Sequence, residues 1–250
     1  MHITGIILNT FREAIRDKVF IAIVVLSILV IASGYIIKPL TLGEENKVIK
    51  DIGLNAIALF SIMIAILVGG RLVYKEIEKR TIYLVLSRPL HRWEFIIGKY
   101  FGLLLVLFES LLIMTGSFYI LLLLLKIPAN FSLLLSVLMT FCQLWIITAI
   151  AIFFSTFTTP VTSAVFTFAL YFIGHLTRDL KTAFATNQIK IVGDILYYIL
   201  PNLSNFNVKA EVVYNTMIDP KIIIFAILYA LIYSFIIISL SCLIFQQKDF

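Results

Sequence analysis

The chain has 250 residues, 61% of them apolar and 14% charged, with a formal net charge of +6. Soluble domains run nearer half apolar and a quarter charged, so this composition excludes a soluble enzyme or soluble binding module. The basic excess is what membrane proteins carry on cytoplasmic loops, and it argues against nucleic acid as a partner.

In chain order the first element is "ITGIILNTFREAIRDK". Ile3, Ile7, Phe11 and Ile15 fall on one helical face, with Asn9, Arg12, Glu13 and Arg16 largely opposite. That pattern predicts a helix over 1–18 lying in the membrane interface as an elbow. The plain alternative is a cytoplasmic extension of the first span. The apolar run that follows ends near "ASG" at 32–34, which imitates a signal-peptidase site. Glu13 and Asp17 precede the run and it continues through "YII", so it reads as a span.

Six spans are expected, at 19–37, 52–73, 100–125, 131–154, 158–176 and 222–245. Their lengths suit the ~20 residues that carry a helix across a bilayer core. Backbone groups in lipid must bond internally and the runs lack barrel-like alternation, so the fold class is all-α, polytopic and membrane-embedded. Thr156, Thr158, Thr159 and Pro160 crowd the start of the fifth span. Seven basic residues sit in 71–99, which places that loop and both termini in the cytoplasm.

On the other side, 177–221 is too long for a turn. "IKIVGDILYYILP" predicts a short amphipathic helix at the outer leaflet, "NLSNFN" a polar turn, and "AEVVYNTMI" a second short helix. His175 and Arg178 read as interfacial anchors. Cys142 and Cys242 lie in apolar runs without metal-site spacing and read as packing residues.

The stretch "KEIEKRTIYLVLSRPLHRWEFIIGKY", residues 75–100, is charged yet lies between apolar runs. Residues 71–80 continue the second span as a charged helix, and "TIYLVLS" adds an apolar helical face. Arg88-Pro89 breaks the helix, because a residue before proline disfavours the α region. Pro89 then suits the first turn of a new helix running into the third span, with Trp93 at the interface. A helix–break–helix elbow of this kind takes force from a bound partner. Topology alone would require a few Lys or Arg, but not matched acids, a proline break and an apolar face.

"FREAIRDK", "LVYKEIEKRTIYLVLSRP" and "HRWEFIIGKYFG" together resemble the permease subunits of ABC-2 type transporters, over roughly residues 8–105. The closer likeness is to bacterial permeases grouped with the one serving copper-site maturation of nitrous-oxide reductase. The resemblance implies one transmembrane domain over 1–250, with an elbow at 1–18, a coupling region at 74–98 and an extracytoplasmic segment at 177–221. It implies an exporter built as a homodimer in the bacterial inner membrane, with two copies of a separate ABC ATPase subunit. ATP and Mg belong to that subunit, and this chain binds no cofactor. Carried over, the coupling residues are Glu76, Glu78, Arg80, Thr81, Arg88, Pro89, Arg92 and Lys99, and the elbow residues are Phe11, Arg12 and Glu13.

Gly98-Lys99 lacks the upstream glycine of a phosphate-binding loop, and no other candidate exists. His2, His91 and His175 are far apart, and no two carboxylates share a membrane helix, so no catalytic set is visible. No Met, Cys or His ladder supports metal conduction. Glu109 is the acid at membrane depth, where insertion of Asp costs ~2.5–3.5 kcal/mol. It either lines a translocation path, with Gln143 as a nearby polar group, or serves packing within a dimer. The rival function is mechanical, with the ATPase cycle moving 177–221 against an extracytoplasmic partner and no solute transported.

Overall fold

The computed structural model describes residues 2–40, 43–74, 76, 92–184, 197, 199–214, 216 and 219–247. Glu78, Arg80, Thr81, Arg88 and Pro89, most of 189–198, and the side chain of Arg178 lie outside the described residues. Among the described residues every regular element is helical. An elbow helix, His2–Ile15, precedes span 1 at Lys18–Ile37, span 2 at Glu45–Leu72 and span 3 at Arg92–Leu124. Span 4 is Ser132–Ser155, span 5 lies in Pro160–Phe184, and span 6 is Pro220–Gln246. All six are long and apolar enough to cross a membrane.

Local chemistry sets several of these ends. Asp17 caps span 1, its carboxylate accepting from the Val19 N–H at 2.8 Å. Asp219 caps span 6 through the Lys221 N–H at 2.9 Å, with Pro220 in the first turn. Spans 2 and 3 begin seven and eight residues earlier than hydropathy predicts, at Glu45 and Arg92. Lys47, Lys50 and Asp51, or Arg92, Glu94 and Lys99, lower hydropathy without interrupting backbone hydrogen bonding.

Spans 2 and 4 form the centre, with 72% and 67% of their apolar windows buried, against 22% for spans 5 and 6. Small residues allow the close approach that membrane helices need. A Cβ on Gly53 would overlap the Phe118 ring of span 3. One on Gly69 would lie 2.9 Å from Leu103 and 3.1 Å from Ala151, so span 2 is wedged between spans 3 and 4. The Ser163 hydroxyl donates to the Ala151 carbonyl at 3.1 Å and ties span 5 to span 4.

The segment after span 5 departs from expectation. "NLSNFN" is a turn as expected, with Asn205 and Asn207 exposed, but it is not polar throughout: Leu203–Phe206 is a 3-10 turn with Leu203 and Phe206 buried. The polarity of Asn202 and Ser204 is satisfied inside. Asn202 accepts from Ser204 Oγ at 2.6 Å and Thr177 Oγ1 at 3.3 Å, while its backbone N–H donates to Tyr229 Oη at 2.9 Å. A Cβ on Gly174 would sit 2.7 Å from the Pro201 carbonyl, so this turn is keyed against span 5. The second short helix exists but is confined to Lys209–Val213.

Candidate functional site: the elbow-end junction

The elbow helix lies along the first turns of span 3, and two glycines make the groove for it. A Cβ on Gly98 would sit 2.7 Å from Ile6, and one on Gly102 2.6 Å from Thr10. Thr10 and Ala14 are therefore the buried elbow residues, with Phe11 half-buried and Arg12 exposed. Reading Ile3, Ile7, Phe11 and Ile15 as the apolar face misses this contact, because Ile6 and Thr10 lie to one side of that stripe. The readable signal was the spacing itself, since "GKYFG" is a Gly-x-x-x-Gly motif.

Between those glycines stands Lys99, 1% exposed. Its ammonium pairs with the Glu76 carboxylate just beyond span 2, and lies 4.0 Å from a Glu13 oxygen on the elbow. It also sits 5.7 Å from the centroid of the Phe95 ring, which stacks on Phe245 of span 6 at 5.6 Å. One buried cation thus joins the elbow, the exit of span 2 and the entry of span 3, and its aromatic neighbour touches the end of span 6. Lys99 is an internal pin rather than an exposed docking residue.

Further ties surround the pin. Arg71 at the end of span 2 pairs with Asp17 at 3.2 Å, and Asp17 is the residue that caps span 1. The Tyr74 N–H donates to Ser155 Oγ at the end of span 4, at 3.3 Å. Arg92 Nη1 donates to the Gln246 carbonyl of span 6 at 2.8 Å. Asp17, Arg71, Tyr74 and Ser155 were not anticipated, because pairs 54 and 81 residues apart leave no local pattern. Every span except the fifth is bonded or ring-stacked into this junction. The fifth touches it where Gly70 of span 2 faces Ser163.

Glu109 and Gln143 are held differently. The Gln143 amide meets His175 Nε2 of span 5 at 3.3 Å. His175 Nδ1 lies 3.1 Å from the Tyr171 carbonyl, which only accepts, so Nδ1 carries the proton and Nε2 accepts from Gln143. His175 is thus an inter-span contact between spans 4 and 5. Among the described residues, Glu109 Oε2 is buried without a hydrogen-bond partner in the middle of span 3. Among the described residues, no group of three His, Cys, Asp or Glu is arranged to hold a metal.

The model of the ABC-2 family transporter proteins matches residues 5–250. The chain belongs to the ABC-2 transporter family. It is a membrane component of an ABC transporter, a class that works with an ABC ATPase subunit. No curated protein matches the chain. Glu76 begins the charged loop, and the pin spreads its position to the elbow and to span 3.

Proposed function

We propose that this chain is the permease subunit of an ABC exporter, converting ATP-driven motion of a separate ATPase subunit into movement of substrate across the membrane. The observation that carries the reading is the buried Lys99, held by Glu76 from the loop and Glu13 from the elbow. Removing one member of such a set leaves an uncompensated buried charge, so the group moves as a unit. The density of basic residues in 71–99 supports cytoplasmic placement of this end. On this reading two copies pair in the bacterial inner membrane, each taking one ATPase subunit, which holds the ATP and Mg. The motifs around Glu13, Glu76 and Lys99 favour a place beside the permeases grouped with the nitrous-oxide-reductase maturation system.

A second reading has its own observation. The Leu203–Phe206 turn is buried against the far ends of the spans, so span motion there would move 201–214 against an extracytoplasmic partner. Substrate-stimulated ATP turnover separates the two, since the mechanical reading has no solute dependence.

The test is co-expression with the neighbouring ATPase, co-purification in detergent, and measurement of ATP turnover. Arg80→Glu and Arg88→Glu are expected to weaken binding of the ATPase at least tenfold while the permease still folds. Undiminished binding in both variants would return the loop to a topology signal.

A further inference from the structure

Spans 3 and 6, joined at the elbow end through Arg92 and Phe95, flank an apolar groove of about 860 Å³, to which span 4 contributes Trp145. That volume lies in the range of small-molecule pockets, ~300–1,000 Å³. Tyr100, Leu104, Ser234 and Ile238 are its buried lining, while Phe235 and Leu243 stand exposed along its rim. The hydroxyls inside are already engaged, and Trp145 Nε1 is a single buried donor with no partner among the described residues. The Tyr100 hydroxyl lies 3.4 Å from the Trp145 carbonyl, and the Ser234 hydroxyl donates to the Leu231 carbonyl at 3.1 Å. A water needs two to four free polar partners, so this lining offers little to hold water or a polar ligand. An unfilled apolar groove forfeits dispersion contacts, so an apolar chain is the occupant that the lining favours.

The end of the groove says which chain. Arg92 opens span 3 and donates across to the Gln246 carbonyl at the close of span 6, beside Trp93 on the groove wall. A guanidinium and an indole at the same membrane level suit the headgroup zone, and the cation favours an anionic headgroup. We propose that the groove between spans 3 and 6 binds an anionic phospholipid from the leaflet at the Arg92 end. One acyl chain fills the groove past Trp145, and the phosphate sits at Arg92. The site depends on the membrane-spanning architecture alone, and not on the direction of transport or its occurrence.

The chain has two tryptophans, Trp93 and Trp145, and both line this groove, so the protein carries its own probe. The full chain would be reconstituted in phosphatidylcholine vesicles as Trp93→Phe, leaving Trp145 as the reporter. Brominated phosphatidylglycerol or brominated phosphatidylcholine would then be added at equal mole fraction. Quenching by the brominated anionic lipid is expected to be about fivefold more effective, the preference that one arginine confers. Arg92→Gln should bring the two lipids to parity, and Ser239→Phe at the rim should reduce quenching by both. Equal quenching by both lipids overturns the proposal, as does a preference that survives Arg92→Gln. Trp145 unquenched by either lipid overturns it too and points to a groove covered by protein, a second copy included. Should Arg92→Gln fail to fold, the headgroup comparison with Arg92 intact still decides.

Discussion

The two ends of the helix bundle carry similar charges and use them in opposite ways. At the elbow end, Lys99 and Glu76 pair with side chains 2% and 16% exposed. At the far end, Lys47 pairs with Glu44 at 2.8 Å and Lys38 with Glu45 at 3.3 Å, with all four side chains at 36% exposure or more. Exposed pairs are worth about 0–1 kcal/mol, because water already solvates both partners. Buried pairs have lost that solvation, so each partner depends on the other. The far end can exchange its ion pairs freely. The Lys99 pair of the elbow end is committed to one arrangement, as the proposed coupling role would need.

That contrast can be broken most severely at Lys99. Lys99→Met leaves the acids of Glu76 and Glu13 facing an apolar neighbour, and roughly 3 kcal/mol of stability is expected to go. Heating in detergent followed by size-exclusion chromatography would read the loss, and Lys99→Met with Glu76→Gln should recover part of it. Full stability in Lys99→Met alone would mean the pair contributes nothing.

A smaller effect is expected from the elbow groove. Gly102→Leu drives a side chain into Thr10 and the Ile7 carbonyl, an overpacking worth about 1–3 kcal/mol. The elbow should lift from span 3, which increased proteolysis within residues 2–17 would report. Gly116 faces open space in the same helix, so Gly116→Leu is the control that should leave proteolysis unchanged. The smallest effect belongs to the far end, where Lys47→Ala should leave stability essentially unchanged. A Lys47→Ala loss as large as that of Lys99→Met would erase the difference between the two ends.

Much of this architecture was legible in the sequence where lipid is the solvent. Span 1 was expected at 19–37 and runs Lys18–Ile37, and span 4 was expected at 131–154 and runs Ser132–Ser155. Legibility failed where contacts between helices outweigh hydropathy. Thr10 and Ala14 are poor hydrophobes but take buried elbow positions, with Thr10 seated over Gly102 and Ile6 over Gly98. Leu203 and Phe206 sit in a stretch that reads as polar, yet Asn202 and Ser204 satisfy each other and leave the two apolar side chains to enter the core.

The sequence by itself determined that this is a six-span membrane protein with an amphipathic N-terminal helix and one strongly charged loop. Those features follow from transfer free energies and helical periodicity, which act residue by residue. Its motifs also pointed to the ABC-2 family. Tertiary structure alone decided that Lys99 is buried, that Glu13 and Glu76 meet it, and that Asp17 finds Arg71. Hydropathy counts Lys99 as a polar residue at the mouth of a span. Only the packing of the elbow against span 3 removes its water and leaves the two acids to replace it.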